Sequence, residues 1–191
     1  MPNTNGLLLV LAGLSGSGKS YITDYLVRSL GFIHVPSITT RAPRPNEVHG
    51  IDKIFCSLEE FNLLRTEGRL ISESLMFGNW YANDVALLNQ YKEGKKIVCQ
   101  LRYIAIQETK EKFSDLKCIY ISPKSVEEAI QHVKNRALSE EETYKRILEI
   151  TDEIEFVNAD KQKPYPLFDF HFTNDYSSST LSQFSNFIKD L

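Results

Sequence analysis

The sequence predicts an α/β fold: a parallel sheet covered by helices on both faces. Three observations carry that expectation. Apolar, β-compatible runs alternate with stretches of helical periodicity along most of the 191 residues. The first run, residues 7–12, leads straight into a glycine-rich turn and then a helical stretch. From residue 37 to about 90 the rhythm breaks, with Pro43 and Pro45 and only short runs such as KIFC and RLISESL. That stretch reads as an insertion, residues 37–90, on a core made of residues 1–36 and 91–191, all within one domain spanning 1–191.

Element by element, the pattern is as follows. Residues 7–12 form a strand ended by Gly13. In YITDYLVRSL, Ile22, Tyr25, Leu26 and Leu30 recur at helical spacing, and Gly31 stops the helix. FIHV is a short second strand. SLEEFNLLRTEG predicts a helix capped by Ser57 with Glu60 three residues on, a capping box, and closed by Gly68. NDVALLNQYKEG predicts a helix with Asn83 or Asp84 as its cap and a glycine end. KKIVCQL is a buried strand, IAIQETKEKF a helix and LKCIYIS another strand. SVEEAIQHVKNR predicts a helix capped by Ser125 with Glu128 three residues on. EEETYKRILEITDEIEFVNAD predicts a long helix whose acidic first turn suits the helix dipole. PLFDFHFTND ends in a strand, and SSSTLSQFSNFIKDL closes the chain as a helix.

Composition narrows the function classes. At 42% hydrophobic the chain can bury one sizeable core. A net charge of −3 lacks the broad basic field that general nucleic-acid binding needs, so no nucleic-acid partner is expected. No apolar run reaches the length of a membrane span, and the N-terminus has no secretory pattern. Cys56, Cys99 and Cys118 lie far apart with no C-x-x-C pair, which reads as three reduced thiols and a cytoplasmic protein with no membrane partner. His34, His49, His132 and His171 are scattered without metal-ligand spacing.

GLSGSGKS, residues 13–20, matches the phosphate-loop pattern G-x-x-x-x-G-K-[ST] and stands between an apolar strand and an amphipathic helix, the context the motif requires. The candidate triphosphate cradle is therefore Gly13, Leu14, Ser15, Gly16, Ser17, Gly18, Lys19 and Ser20. Glycines let backbone N–H groups turn toward an anion while the helix points its positive end at the same place. Lys19 supplies a mobile charge for the β- and γ-phosphates, and Ser20 offers a hydroxyl to Mg2+. The expected ligand is a nucleoside triphosphate.

A second anion site is written in SITTRAPRPNEVHGIDKIF, residues 37–55. Arg41 and Arg44 sit on backbone stiffened by Pro43 and Pro45. A guanidinium fork grips phosphate in a bidentate way that lysine cannot. Two phosphate sites in one small protein suggest phosphoryl transfer between two phosphorylated ligands.

With these residues in view, the chain resembles the guanylate kinase family. SITTRAPRPNEVHGIDKIFCSLEEF is similar to that family's S-x-T-T-R-x-P-R-x-G-E-x-x-G-x-D-Y-x-F-x-S-x-E-E-F. FGNWYAN (77–83) is similar to F-G-N-x-Y-G-T, and PLFDFHFTND to a closing D-x-x-x-x-N-D strand. The resemblance implies a P-loop kinase core, an acceptor-binding insertion at 37–90 and a lid at 134–146. It implies ATP with Mg2+ as donor and a nucleoside monophosphate as acceptor, GMP or dGMP by default. By position, Arg41, Arg44 and Tyr81 would hold the acceptor's phosphate and Ser37 would face the base. Arg136 and Arg146 would reach in from the lid and, with Lys19, neutralise charge on the transferring group.

The departures from the family pattern are concentrated on the acceptor side. Lys53 stands where the family has a tyrosine. The base-reading glutamate, six residues before the G-N pair, is Ser72, with Glu73 next door; only a bulge would bring Glu73 into the pocket. Asn83 replaces a base-facing hydroxyl. Gln100 and Arg102 replace two carboxylates at the end of the KKIVCQL strand, and His132 replaces a lid arginine. Two other functions are compatible with this set: a phosphotransferase of the same fold acting on another phosphorylated small molecule, and a non-catalytic guanylate kinase-like module that holds a phosphopeptide.

Overall fold

The structure, a computed structural model, describes residues 6–135, 139–164 and 166–191. In order, the chain forms β1 (Leu7–Gly13), α1 (Lys19–Leu30), β2 (Ile33–His34), β3 (Ile38–Thr39) and β4 (Ile54–Phe55). Next come α2 (Leu58–Thr66), β5 (Leu70–Met76), β6 (Asn79–Asp84), α3 (Val85–Asn89) and β7 (Lys96–Gln100). The remainder is α4 (Ile106–Lys112), β8 (Lys117–Pro123), α5 (Val126–Lys134), α6 (Glu140–Lys161), β9 (Phe170–Asn174) and α7 (Ser178–Lys189). The helices start where their caps are. Ser57 closes a full capping box with Glu60 at α2, worth about 1 kcal/mol. Ser125 accepts from the Glu128 amide at 3.2 Å, Ser139 from that of Glu142, and Ser177 from that of Thr180.

The chain divides into two compact units. The first contains residues up to Val10 together with Gly31–Lys117. In it β2 pairs parallel with β7, Ile33 opposite Ile97 and His34 opposite Val98, and β7 neighbours β1. A separate four-stranded sheet runs in the order β4-β3-β6-β5. One face of that sheet packs on α2 through Ile38, Phe61 and Ala82, with Trp80 and Leu70 beside them. The second unit contains Leu11–Leu30 and Cys118–Leu191. There β8 runs parallel with β9 from Ile119–Phe170 to Pro123–Asn174, and β1 neighbours β8. Helices α5 and α6 share a core of Ala129, Val133 and Ile150, which also takes in Leu14 of the phosphate loop. The α/β class, with parallel strand pairs and helices between them, agrees with the sequence expectation.

Two elements differ from that expectation. FGNWYAN is a strand and not only a motif: β6 is the central partner of both β3 and β5. It claims Asn83 and Asp84, so only Asp84 caps α3, accepting from the Ala86 amide at 2.8 Å. That helix ends at Asn89 and gives way to a 3-10 turn over Gln90–Glu93, which Gly94 closes at φ 84 as the expected glycine end. The second difference is a bulge in β5. Ile71 pairs with Asn83 and Ser74 with Tyr81, so Ser72 and Glu73 together oppose Ala82, and Ser72 takes φ 61. A left-handed first residue marks a G1-type bulge.

Candidate functional site

The donor loop hangs between β1 and α1, and its shape is held by later parts of its own unit, the second. A Cβ at Gly13 would strike the Ile121 carbonyl oxygen, and one at Gly18 the Asn174 amide nitrogen. These glycines adopt φ 145 and φ 82, so both space and backbone require glycine. Asn174, at the end of β9, donates Nδ2–H to the Ser17 carbonyl at 3.0 Å. The Gly16 carbonyl accepts from Tyr176 Oη at 3.2 Å and lies 2.9 Å from His132 Nδ1 of α5, the tautomer with a proton on Nδ1 making the second bond. Lys19 folds its ammonium over the loop, donating to the Gly13 and Leu14 carbonyls at 2.6 and 2.8 Å. Ser17 is fully buried with its Oγ unpartnered, and Ser20 is exposed on the first turn of α1. Ser15 is half-buried at the turn. Lys134 ends α5 and Glu140 opens α6, while Arg136 lies outside the described residues. Arg146, on α6, is buried and donates from Nε and Nη2 to Glu142 at 3.1 and 2.8 Å.

The arginine stretch belongs to the first unit and is organised by a carboxylate. Arg41 Nη2 bonds both Glu47 oxygens, at 2.9 and 2.8 Å, and the Arg44 amide donates to Glu47 Oε2 at 2.7 Å. Burial opposes the Glu47 charge, but the Arg44 amide and the Arg41 guanidinium outweigh it and hold the carboxyl below its ordinary range. The turn between the arginines and Glu47 depends on Asn46 at φ 68, where the family pattern has glycine. Asparagine is among the few residues that tolerate that conformation.

The register of the second sheet assembles the remaining acceptor candidates. Ile38 pairs with Ile54 on one side and Ala82 on the other. One residue back along β3, Ser37 therefore faces Lys53 and Asn83. Lys53 Nζ donates to Ser37 Oγ at 2.7 Å. Burial, then the nearby Arg41 charge, pushes the Lys53 ammonium below its ordinary pKa. Asn83 is 2% exposed and its Nδ2 has no partner. Tyr81, two residues before Asn83, shares that face and pairs with Thr39 and Ser74. Gln100, half-buried, ends β7 one residue after Cys99. Lys53 also acts electrostatically on Cys99, although burial dominates and drives that thiol up to about 12.

Two acceptor-side candidates point elsewhere. Ser72 is buried and its Oγ meets Thr109 Oγ1 of α4 at 2.7 Å. Thr109 spends its own proton on the Ala105 carbonyl, so Ser72 is the donor in that bond. The bulge foreseen as the one route for Glu73 into the pocket is present, but Glu73 takes the other face. Its carboxylate pairs with Arg65 of α2 at 2.6 Å, and that guanidinium lies 4.4 Å from the Trp80 ring. The bulge puts Ser74, 7% exposed, on the Tyr81 side. Sequence reasoning missed Glu47, Ser74, Asn174 and Tyr176. The Arg44-to-Glu47 spacing was an available signal; the others depend on register and tertiary contact.

Comparison with known proteins agrees with this geometry. The guanylate kinase family model matches residues 5–191. The chain is 33% identical over 175 residues to a guanylate kinase of Trichormus variabilis, covering 90% of this chain and 84% of the relative. It is 31% identical to one of Desulfitobacterium hafniense, covering 83% and 80%. Among solved structures, guanylate kinase from Anaplasma phagocytophilum superposes with a TM-score of 0.75 at 24% identity, covering 97% of this chain and 85% of that one. Shikimate kinase from Bacteroides thetaiotaomicron shares the fold at a TM-score of 0.53 and 10% identity, covering 96% and 98%. A phosphate loop, an arginine clamp and a family match along almost the whole length converge: the chain belongs to the guanylate kinase family of nucleoside monophosphate kinases.

Proposed function

We propose that the chain transfers the γ-phosphoryl group of ATP to a nucleoside monophosphate, with GMP or dGMP as the default acceptor, in the cytoplasm. The observation that carries this reading is the co-occurrence of the donor loop with the Glu47-organised clamp of Arg41 and Arg44. An oxygen of the acceptor's phosphate attacks the γ-phosphorus, the bond to the β–γ bridging oxygen breaks, and ADP and the nucleoside diphosphate leave. The nucleophile is already anionic, so the protein's task is positioning and charge neutralisation.

In this reading the backbone amides of residues 13–20 cradle the triphosphate, and Lys19 exchanges the Gly13 and Leu14 carbonyls for phosphate oxygens. Mg2+, which takes oxygen ligands and keeps several waters, suits the exposed Ser20 hydroxyl together with phosphate oxygens; it would neutralise charge on the β- and γ-phosphates. Arg41, Arg44 and Tyr81 hold the acceptor phosphate, and Ser37, Lys53, Asn83 and Gln100 lie along the base side, while Ser72 is turned to Thr109. Arg146, with Arg136, neutralises the transferring group. Small nucleotides are the only partners this scheme needs.

The test is ADP release from ATP and Mg2+ against a panel of nucleoside monophosphates, with Lys19→Ala as control. Release with GMP that the control loses is the expected result. ATP binding without turnover on any of these acceptors would overturn the proposal and leave a phosphotransferase acting on another phosphorylated small molecule or a phosphopeptide-binding module.

A further inference from the structure

A guanine-selective site needs acceptors for the N1–H and 2-amino protons of the base, and this acceptor face offers donors instead. Three lie side by side in one cross-strand row: Lys53 Nζ, the Ser37 hydroxyl that it already bonds at 2.7 Å, and Asn83. Asn83 is 2% exposed and its Nδ2–H is left without a protein partner. A buried, unpaired amide donor costs about 1–3 kcal/mol, which a carbonyl oxygen on a bound base would recover. The carboxylates that could take the guanine protons are missing from this row. Glu73 is turned to the α2 face and paired with Arg65. The Ser72 hydroxyl is committed to Thr109. Gln100 ends β7 as a neutral amide.

We infer that the acceptor class of this chain is the 6-oxopurine nucleoside monophosphates as a group, read at the C6 carbonyl by Asn83 and not at the 2-amino group, so that IMP is served on a par with GMP. The inference rests on the monophosphate kinase reading and deepens it. Adenine presents an amine where the row presents donors, and AMP is therefore a poor acceptor. A site that reads a base by buried hydrogen bonds rejects the analogue lacking them by about 10⁴-fold. Without the carboxylate the GMP-to-IMP ratio falls to within about tenfold.

Two measurements test this. Steady-state ADP release with GMP, IMP and AMP gives the kcat/KM ratios. Equilibrium titration of the same three nucleotides without ATP gives dissociation constants that need no turnover. Expected are GMP and IMP within about tenfold of each other by both measures, with AMP at least about tenfold weaker. A GMP preference of about 100-fold or more in an active enzyme would overturn the inference and leave the kinase reading standing. No ADP release with any nucleotide would overturn the kinase reading, and the titrations would still decide the base preference. The near-isosteric Asn83→Asp replaces the donor by an acceptor. It should weaken GMP and IMP about tenfold or more and narrow their advantage over AMP, with ATP affinity unchanged. Unchanged GMP and IMP binding in a folded Asn83→Asp would overturn the role given to Asn83.

Discussion

The donor loop and the acceptor sheet are organised by opposite means. At the loop the work belongs to the backbone. Its glycines are fixed by contacts with main-chain and side-chain atoms of the same unit, Ile121 against Gly13 and Asn174 against Gly18. At the sheet the work belongs to side chains, and a single carboxylate, Glu47, sets the positions of both arginines. A backbone site tolerates little change because every substitution alters the cradle itself. A side-chain site can be rewritten residue by residue without disturbing the fold. Most departures from the family pattern fall accordingly: the loop motif is intact and Lys53, Ser72, Asn83, Gln100 and Arg102 lie in the first unit, with His132, beside the loop, the exception.

The largest expected effect comes from breaking the backbone side. Gly13→Ala must place a Cβ against the Ile121 carbonyl at φ 145, and neither atom is the end of a flexible chain. We expect a loss of ~3 kcal/mol, a fall in Tm of about 6–12 °C for a chain of this length. Gly78, at the tip between β5 and β6, has φ 75 but open space around it. Gly78→Ala should cost only the conformational penalty, about 1–2 kcal/mol. Thermal melts of the two variants check the contrast, and equal losses would refute the claim that the loop is held by its surroundings.

On the side-chain side, Arg41→Lys keeps the charge and loses the planar guanidinium, whose Nη2 bonds both Glu47 oxygens while Nη1 donates to the Ala42 carbonyl. The acceptor KM should rise about 10- to 100-fold, while the ATP dissociation constant stays within about twofold. A parallel loss of ATP affinity would mean that the two sites are not separable in this way.

Glu47→Gln is expected to be milder, raising the acceptor KM about 3- to 10-fold, because one amide oxygen can still accept from the Arg44 amide. Its signature is in pH. The folded pKa of Glu47 lies below its ordinary value of 4.5. Its contribution to stability is therefore fully present above that value and lost as pH falls through the depressed one. The Tm difference between wild type and Glu47→Gln should shrink on acidification below pH 4.5 and be flat above it. A difference that persists unchanged in acid would show that the carboxylate charge is not what organises the clamp.

The same division explains what the sequence revealed. The phosphate loop was readable because its chemistry is local: eight consecutive residues between a strand and a helix state the whole device. The helix starts were readable for the same reason, since Ser57, Ser125 and Ser177 bond amides three residues away. The arginine pair was visible, but its organiser at Glu47 was not singled out. Asn46, at φ 68, is of a type that tolerates a left-handed backbone, but Ser72, at φ 61, gives no composition cue for one. The bulge at Ser72 depends on how β5 meets β6, and it decides which face Glu73 and Ser74 take. Alternation along one strand cannot foresee a register shift set by its partner.

The smallest effect sharpens the comparison most. The Gly16 carbonyl is addressed by two side chains, Tyr176 Oη at 3.2 Å and His132 Nδ1 at 2.9 Å. A carbonyl oxygen has two lone pairs and can accept from both. Tyr176→Phe removes one bond at a solvent-exposed position and leaves the ring against His132 and Tyr21. We expect the ATP dissociation constant to rise only about two- to threefold, in line with a net hydrogen bond of ~0.5 kcal/mol. Asn174→Ala removes a buried bond to the Ser17 carbonyl and opens the space beside Gly18; its effect should be about tenfold. If Tyr176→Phe weakened ATP as much as Asn174→Ala does, Gly16 would be held chiefly by the tyrosine, with the histidine bond unable to stand in. If neither variant moved ATP affinity, the cradle would be fixed by its glycines and by α1 alone. A graded response, small for Tyr176 and larger for Asn174, would instead show a backbone site whose geometry is set by side chains from β9, the turn after it and α5.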